Sequence, residues 1–151
     1  MDDLTRYANK LAAFDLHLLL RKVWERKAVQ DYIIKLNTEG LPTSQLYEQG
    51  VTAGGQDLGK YTPRSIFLKE TGTGDKRIDH ITLKDTGDFY RSFIVSAFNA
   101  GFRIDTNPIK EDTDLTLRFG PDIIGLSESN IILLIEFIRP FFITETKAFL
   151  P

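Results

Sequence analysis

The stretch Thr82-Leu83-Lys84-Asp85-Thr86-Gly87-Asp88-Phe89-Tyr90-Arg91-Ser92-Phe93 decides the fold, because a helical period gives way to a strand period inside it. Asp85 or Thr86 is placed to cap a short helix through Asp88-Phe89-Tyr90-Arg91-Ser92, since a side-chain oxygen there accepts from an otherwise unpaired first-turn amide. Phe89 and Phe93, at i and i+4, then share one face toward a core, and Asp88 stands in the first turn, where the helix dipole favours an anion. Directly afterwards Phe93, Val95 and Ala97 alternate with Ile94, Ser96 and Phe98. The turn Asn99-Ala100-Gly101 follows, and Phe102 and Ile104 alternate with Arg103 and Asp105. Two alternating runs joined by a three-residue connection ending in glycine predict a β-hairpin.

Before this stretch, Leu16, Leu19, Leu20, Val23 and Trp24 fall at i, i+3, i+4, i+7 and i+8, one stripe of an α-helix expected from about residue 4 to about residue 30. Asp31 to Asn37 changes period and reads either as a strand or as the end of that helix. From Gly40 to Gly74 the chain is turn-rich, with Gly50, Gly54, Gly55, Gly59, Gly72 and Gly74 supplying 6 of the 11 glycines. That density predicts a long, adaptable loop at about 50–75, inside which only Ser65 to Lys69 reads as a short strand or helical turn. Beyond the hairpin, Lys110 to Phe119 is expected to form a short helix stopped by Gly120-Pro121. Ser127 is the N-cap of a terminal helix that should kink or break at Pro140.

The chain has 151 residues, 42% of them hydrophobic, enough for one core and one domain. Its 19 basic and 21 acidic side chains are interspersed to a net charge of -2, so no broad positive field holds a nucleic-acid backbone. Cysteine is absent, which removes disulfides, thiolate metal sites and cysteine nucleophiles, and suits a cytoplasm. The first residues lack the basic-then-apolar layout of a secretory signal. The longest apolar run, Ile131 to Ile143, is interrupted by Glu136, Arg139 and Pro140 and is too short to anchor in a membrane.

Asp85-Thr86-Gly87 is also the signature tripeptide of aspartic proteases, and Ile123-Ile124-Gly125 resembles the apolar-apolar-Gly segment of the retroviral type. Such an enzyme needs two carboxylates sharing one proton, hence a homodimer of this chain. That family wants apolar residues before the catalytic Asp and a small residue after the Gly. Lys84 and Asp88 stand there instead, as in a solvated turn. Of the two histidines, His17 sits amid leucines off the apolar stripe. Asp79-His80 has the form of an oriented base, but no nucleophile is placed beside it. Asp105, Glu111, Asp112 and Asp114 carry the oxygen ligands a divalent ion prefers, in a spacing that fits no calcium loop. Gly72-Thr73-Gly74-Asp75-Lys76 lacks phosphate-loop spacing. No cofactor, metal or catalytic residue is expected.

The terminal helix is apolar around nearly its whole circumference, so part of it is expected to meet another protein. Leu134, Phe137, Ile138, Phe141 and Phe142 are the candidate interface residues, together with Lys60, Arg64 and Lys69 on the glycine-rich loop.

From about Gln45 to Phe149 the chain resembles a morphogenesis family of tailed bacteriophages, the neck and tail-completion proteins. The matching pieces occur in order: Gln45-Leu46, the glycines from Gly54 to Gly59, Tyr61-Thr62-Pro63, Lys69 and Thr82 to Phe89. Phe119-Gly120, Asp122 to Ser127 and the helix from Glu128 complete the series. The resemblance implies a non-enzymatic virion protein at the head–tail junction or tail end, assembled in the bacterial host cytoplasm as a ring that joins head to tail. Its partners would be connector, tail tube or tail terminator proteins, with DNA only as cargo passing through a lumen near Lys60, Arg64 and Lys69. The expectation is therefore one α+β domain, an antiparallel or mixed sheet with a hairpin, flanked by a long N-terminal and a C-terminal helix. The other readings are a homodimeric retropepsin-like protease using Asp85 and a generic soluble interaction module.

Overall fold

Apolar periodicity assembles two adjoining cores in this α+β chain. A computed structural model describes residues 2–99 and 101–150. The first core gathers Leu46, Leu58, Leu83, Phe89, Tyr90, Phe93, Leu115 and Ile123. The second gathers Val23, Val29, Ile33, Leu36, Val95, Leu134 and Ile138, and Ile34 and Ile104 touch both.

The long N-terminal helix is instead three helices: α1 (Asp3–Ala12), α2 (Leu16–Trp24) and α3 (Lys27–Asn37). The first ends at the Ala13 cap, and Asp15 starts the second, its carboxylate accepting from the amides of His17 at 3.0 Å and Leu18 at 3.2 Å. The second break is tertiary in origin. Arg26 precedes α3 without a side-chain cap and reaches instead to Glu145 at 2.8 Å, with its guanidinium over the Phe141 ring. The turn lets Val29, Ile33 and Leu36 face the second core, so residues 31–37 are helix and not strand.

The glycine-rich segment is more structured than a loop. Residues Gln45–Gln49 form a π-helical turn closed by Gly50 in the left-handed region, and Pro63–Thr71 form α4, with Pro63 in its first turn and Thr62 as its cap. Between them Thr52 N donates to Gln56 O at 2.8 Å, Ala53 N to Asp122 O at 2.7 Å and Leu58 N to Gly50 O at 2.8 Å. Ser65 to Lys69 is thus the middle of a helix.

Asp88–Arg91 form α5, and the hairpin follows as expected: β1 (Ile94–Phe98) pairs antiparallel with β2 (Gly101–Asp105), Val95 opposite Ile104 and Ala97 opposite Phe102. Ala100, in its turn, lies outside the described residues. The segment from Lys110 is only partly helical. Ile109–Lys110 (β3) and Thr113–Asp114 (β4) make a second small hairpin, and the helix is confined to α6 (Leu115–Phe119), capped by Asp114 and stopped at Gly120. Ser127 caps α7 (Glu128–Phe149), its hydroxyl accepting from Asn130 N at 3.3 Å. The helix continues unbroken through Pro140, because Leu134 and Ile138 before it and Phe141 and Phe142 after it are all anchored against the second core. Among the described residues no helix is long and apolar enough to cross a membrane.

Candidate functional site

The backbone between Thr82 and Asp85 passes beneath α4, and aromatic hydroxyls fix it there. Tyr90 donates to the Thr82 carbonyl, and the Tyr61 hydroxyl accepts from Thr82 N at 3.1 Å. Thr82 Oγ1 in turn accepts from Lys84 N at 3.2 Å, spanning Leu83, a buried leucine with a positive φ of 59°.

Next to this segment α4 delivers Lys69 into the interior. Its ammonium donates to Asp75 Oδ2 at 3.3 Å and to Lys84 O at 3.0 Å and lies over the Tyr61 ring. Tyr47 donates to the other oxygen, Asp75 Oδ1, at 2.9 Å. Burial pushes Asp75 up, but the bonds from Tyr47 and Lys69 outweigh it and hold the carboxyl below its ordinary value. Burial first, and Asp75 second, push Tyr47 up to about 12.

Arg77 continues the network, reaching Glu48 at 2.8 Å and Asp79 at 2.9 Å while lying over the Tyr47 ring. Its hydrogen bonds hold Asp79 down at about 2. The His80 ring nitrogens both face acceptors, Nδ1 toward Asp79 Oδ2 at 3.1 Å and Nε2 toward Tyr47 O at 2.8 Å, so neither points at a serine. Gly50 is required below the ring: a Cβ there would come within 2.4 Å of it, on a backbone already at φ 63°.

The Asp85-Thr86-Gly87 tripeptide is a helix start, but Gly87 and not Asp85 or Thr86 holds the cap position, and no side chain caps the helix there. Asp88 N donates to Thr86 Oγ1 at 3.3 Å across Gly87, whose φ is 89°, and Thr86 Oγ1 donates to Asp88 Oδ2 at 2.7 Å. Asp85 lies 3.2 Å from Lys110 in a half-exposed ion pair. The other shifted carboxyls, Asp88 and Asp114, are also lowered, by hydrogen bonds from Thr86 and Thr116 first. Asp105 pairs with Arg103 at 2.9 Å, and among the described residues no group of three His, Asp or Glu side chains is arranged to hold a metal ion. Lys76 is taken up by α4, donating to the carbonyls of Lys69 at 2.8 Å and Glu70 at 3.1 Å, which closes that helix's last turn.

Bordering this network, with Tyr61, Lys69 and Lys84 in its lining, a cleft of about 360 Å³ opens between α4, the 81–85 segment, the second hairpin and α6. Leu68, Leu83, Leu115 and Phe119 give it an apolar floor, and Lys60, Lys110 and Arg118 stand around it.

The candidate interface residues separate. Leu134 and Ile138 are buried in the chain's own second core, which removes them from any outer surface. Phe137 stacks on Tyr32 with ring centroids 3.9 Å apart, Phe141 lies under Arg26, and Phe142 packs half-buried on the same core. Lys60 and Arg64 are exposed, whereas Lys69 is locked on Asp75 with only 9% of its side chain accessible. The outward face of α7 is a different set: Ile132, Ile135, Glu136, Arg139 and Ile143, all exposed.

Family models, curated proteins and solved structures give no significant match to this chain.

The outward set was marked in the sequence by its charges. Ile132, Ile135, Glu136, Arg139 and Ile143 fall at i, i+3, i+4, i+7 and i+11, so the two charged residues name the solvent face and three isoleucines share it. On the hairpin, alternation likewise puts Ile94 and Phe98 outside, opposite Val95 on the buried face.

Proposed function

We propose that this chain is a structural protein of a tailed-bacteriophage virion, a head–tail connector, neck or tail-completion component that assembles as a ring and joins head to tail. The observation that carries the reading is the exposed isoleucine set of α7, Ile132, Ile135 and Ile143, on a helix whose opposite face buries Asn130, Leu134 and Ile138. Isoleucines left exposed beside Glu136 and Arg139 on one helix face favour a protein contact. The exposed Ile94 and Phe98 of the first hairpin supply a second, different apolar face. Two unlike faces are what a head-to-tail contact that closes into a ring requires. The ordered motifs from Gln45 to the final helix favour the virion setting, and the lowered carboxyls, each tied to a hydrogen-bond donor, favour a role without acid–base chemistry.

Sedimentation velocity across a concentration range tests the assembly. The expected result is a closed oligomer of fixed stoichiometry that Ile132→Lys with Ile135→Lys reduces to folded monomer. Deletion from a phage genome tests the role: headless tails and tailless heads are expected, and joined, infectious particles lacking the chain would overturn it.

A further inference from the structure

The charged residues of α7 divide by face. Glu145 turns inward to Arg26 at 2.8 Å. Glu128, Glu136, Arg139 and Lys147 are exposed, and among the described residues none of these four side chains has an ion-pair or hydrogen-bond partner. Glu136 and Arg139 stand at i and i+3, close enough to neutralise each other along a helix, yet in the single chain they do not meet.

Their order along the helix carries more than their exposure. Ile132, Glu136, Arg139 and Ile143 follow one another at intervals of four, three and four, the spacing of one seam along a helix that packs on a second helix. Ile132 and Ile143 are 55% and 45% exposed, so this seam faces solvent in the single chain. The order apolar, acid, base, apolar is its own complement when reversed. Ile132 and Ile143 are equally far from a point between Phe137 and Ile138, and so are Glu136 and Arg139. Glu128 and Lys147 are equally far from the same point beyond the two ends, again an acid matched by a base. A face that complements its own reverse fits a second copy of itself turned about a two-fold axis. An unrelated partner gives no reason for the pattern to be symmetric.

We infer that α7 pairs antiparallel with α7 of a second copy about a two-fold axis between Phe137 and Ile138. Ile132 then meets Ile143 of the second copy, and Glu136 meets Arg139 of the second copy, each contact occurring twice by symmetry. Ile135 flanks the seam and is covered with it. The charged layers fix the register more than they add affinity, since a slip of one heptad sets a charge against an isoleucine. The pairing goes beyond the virion reading and does not rest on it. In the ring proposed above the same face meets a neighbour's hairpin, so the pair is the state of the chain outside a ring, and one helix cannot serve both at once.

The chain has no cysteine, so introduced cysteines report alone. Full-length Ile132→Cys and Ile143→Cys are oxidised mildly, each by itself and as a mixture. In the proposed register positions 132 and 143 of the two copies are level. The two copies of position 132 lie about 16 Å apart along the axis, at 1.5 Å of rise per residue, beyond disulfide reach. The expected result is a mixed disulfide that forms at least tenfold faster than either homodisulfide. By sedimentation velocity, Glu136→Arg should weaken self-association at least tenfold, and Arg139→Glu added to the same chain should restore it. That doubly substituted chain should pair with itself and not with wild type, which it meets like charge on like. Homodisulfides as fast as the mixed one, or a charge reversal that the second substitution does not repair, overturn the pairing. A ring that assembles without the mixed bond overturns the pairing and leaves the ring reading standing. A dimer that forms the bond and never grows larger leaves the pairing standing and overturns the ring. Monomer at every concentration overturns both.

Discussion

The side chain of Asn37, the last residue of α3, holds Gly125 at a distance of 88 positions: Asn37 Oδ1 accepts the Gly125 amide at 2.8 Å while Nδ2 donates to Ile123 O at 3.1 Å. Gln45 completes the clamp, donating to Gly125 O at 3.1 Å and accepting from Ser127 N at 2.6 Å. Both amide side chains are fully buried, and so are the Ile123 carbonyl and the Ser127 amide they satisfy, which have no water to turn to. Asn37→Leu should therefore cost about 2–4 kcal/mol, the desolvation of an orphaned amide and carbonyl together. Asn37→Asp should cost at least as much, because it places a second acceptor against Ile123 O. Urea denaturation of the two variants checks the order.

Lys69 and Asp75 form an ion pair with side chains only 9% accessible on each side. Removing one partner strands the other, and Lys69→Met should destabilise by about 3 kcal/mol. The pH dependence has a fixed sign. Asp75 binds its proton more weakly folded than unfolded, so its contribution is present above the ordinary value of 3.8 and is lost as pH falls below that value and through the folded one. Asp75→Asn should be less stable than wild type near neutrality and flatter in stability against pH in the acid range. A wild-type acid limb as flat as the variant's would contradict this.

The hairpin, the Ser127 cap and the short helix from Asp88 were legible in the sequence because each is set by neighbours within four residues: alternation, a hydroxyl before an apolar run, Phe89 and Phe93 at helical spacing. The cap of that short helix was not, because Gly87 takes the position expected for Asp85 or Thr86. The breaks in the N-terminal helical region were not. Leu16 to Trp24 and Val29 to Leu36 are both good helical stripes, and what separates them is Arg26 reaching Glu145 and Phe141 more than a hundred positions away. Tyr32, Ile34 and Leu36 alternate as a strand would, yet Val29, Ile33 and Leu36 at helical spacing are the residues that reach zero exposure. The same limit applied to Lys69, whose surface-like setting among glycines hid a carboxylate supplied by Asp75 and a tyrosine supplied by Tyr47.

Tyrosine ionisation offers an independent view of the polar network. Tyr47 titrates at about 12, and Tyr90, buried with its hydroxyl on the Thr82 carbonyl, lies higher still. Of 5 tyrosines, two should thus lag in an ultraviolet titration of the folded chain. The neutral phenol is the favoured folded form, so the Tyr47 contribution is intact below the unfolded value of 10.0 and disappears as pH rises to about 12. Tyr47→Phe should remove one lagging step and reduce stability by about 1 kcal/mol, as its bond to Asp75 is lost.

Asp85 separates an enzyme from a structural element. Its carboxylate is half-exposed and paired with Lys110 at 3.2 Å, an arrangement worth little in water. Asp85→Asn should change stability by less than about 0.5 kcal/mol and leave self-association unaltered. Wild type incubated with unstructured peptide substrates should release no fragments. Cleavage by wild type that Asp85→Asn abolishes would overturn the structural reading.

Leu134 and Ile135 are adjacent in α7 and opposite in role. Leu134 is 2% exposed in the second core, and Ile135 is 51% exposed on the stripe with Ile132 and Ile143. Truncating the first leaves a void that the packed aromatic residues around it cannot close, so Leu134→Ala should cost about 3 kcal/mol. Ile135→Ala removes methyl groups that already face water in the single chain and should stay within about 0.5 kcal/mol. The order reverses for assembly: Leu134→Ala, assayed where it remains folded, should retain self-association, and Ile135→Glu should lose it at unchanged monomer stability. Measuring both quantities on both variants separates the face that builds the chain from the face proposed to join it to a neighbour. Loss of assembly in parallel with loss of stability would show that α7 has no separate outward role.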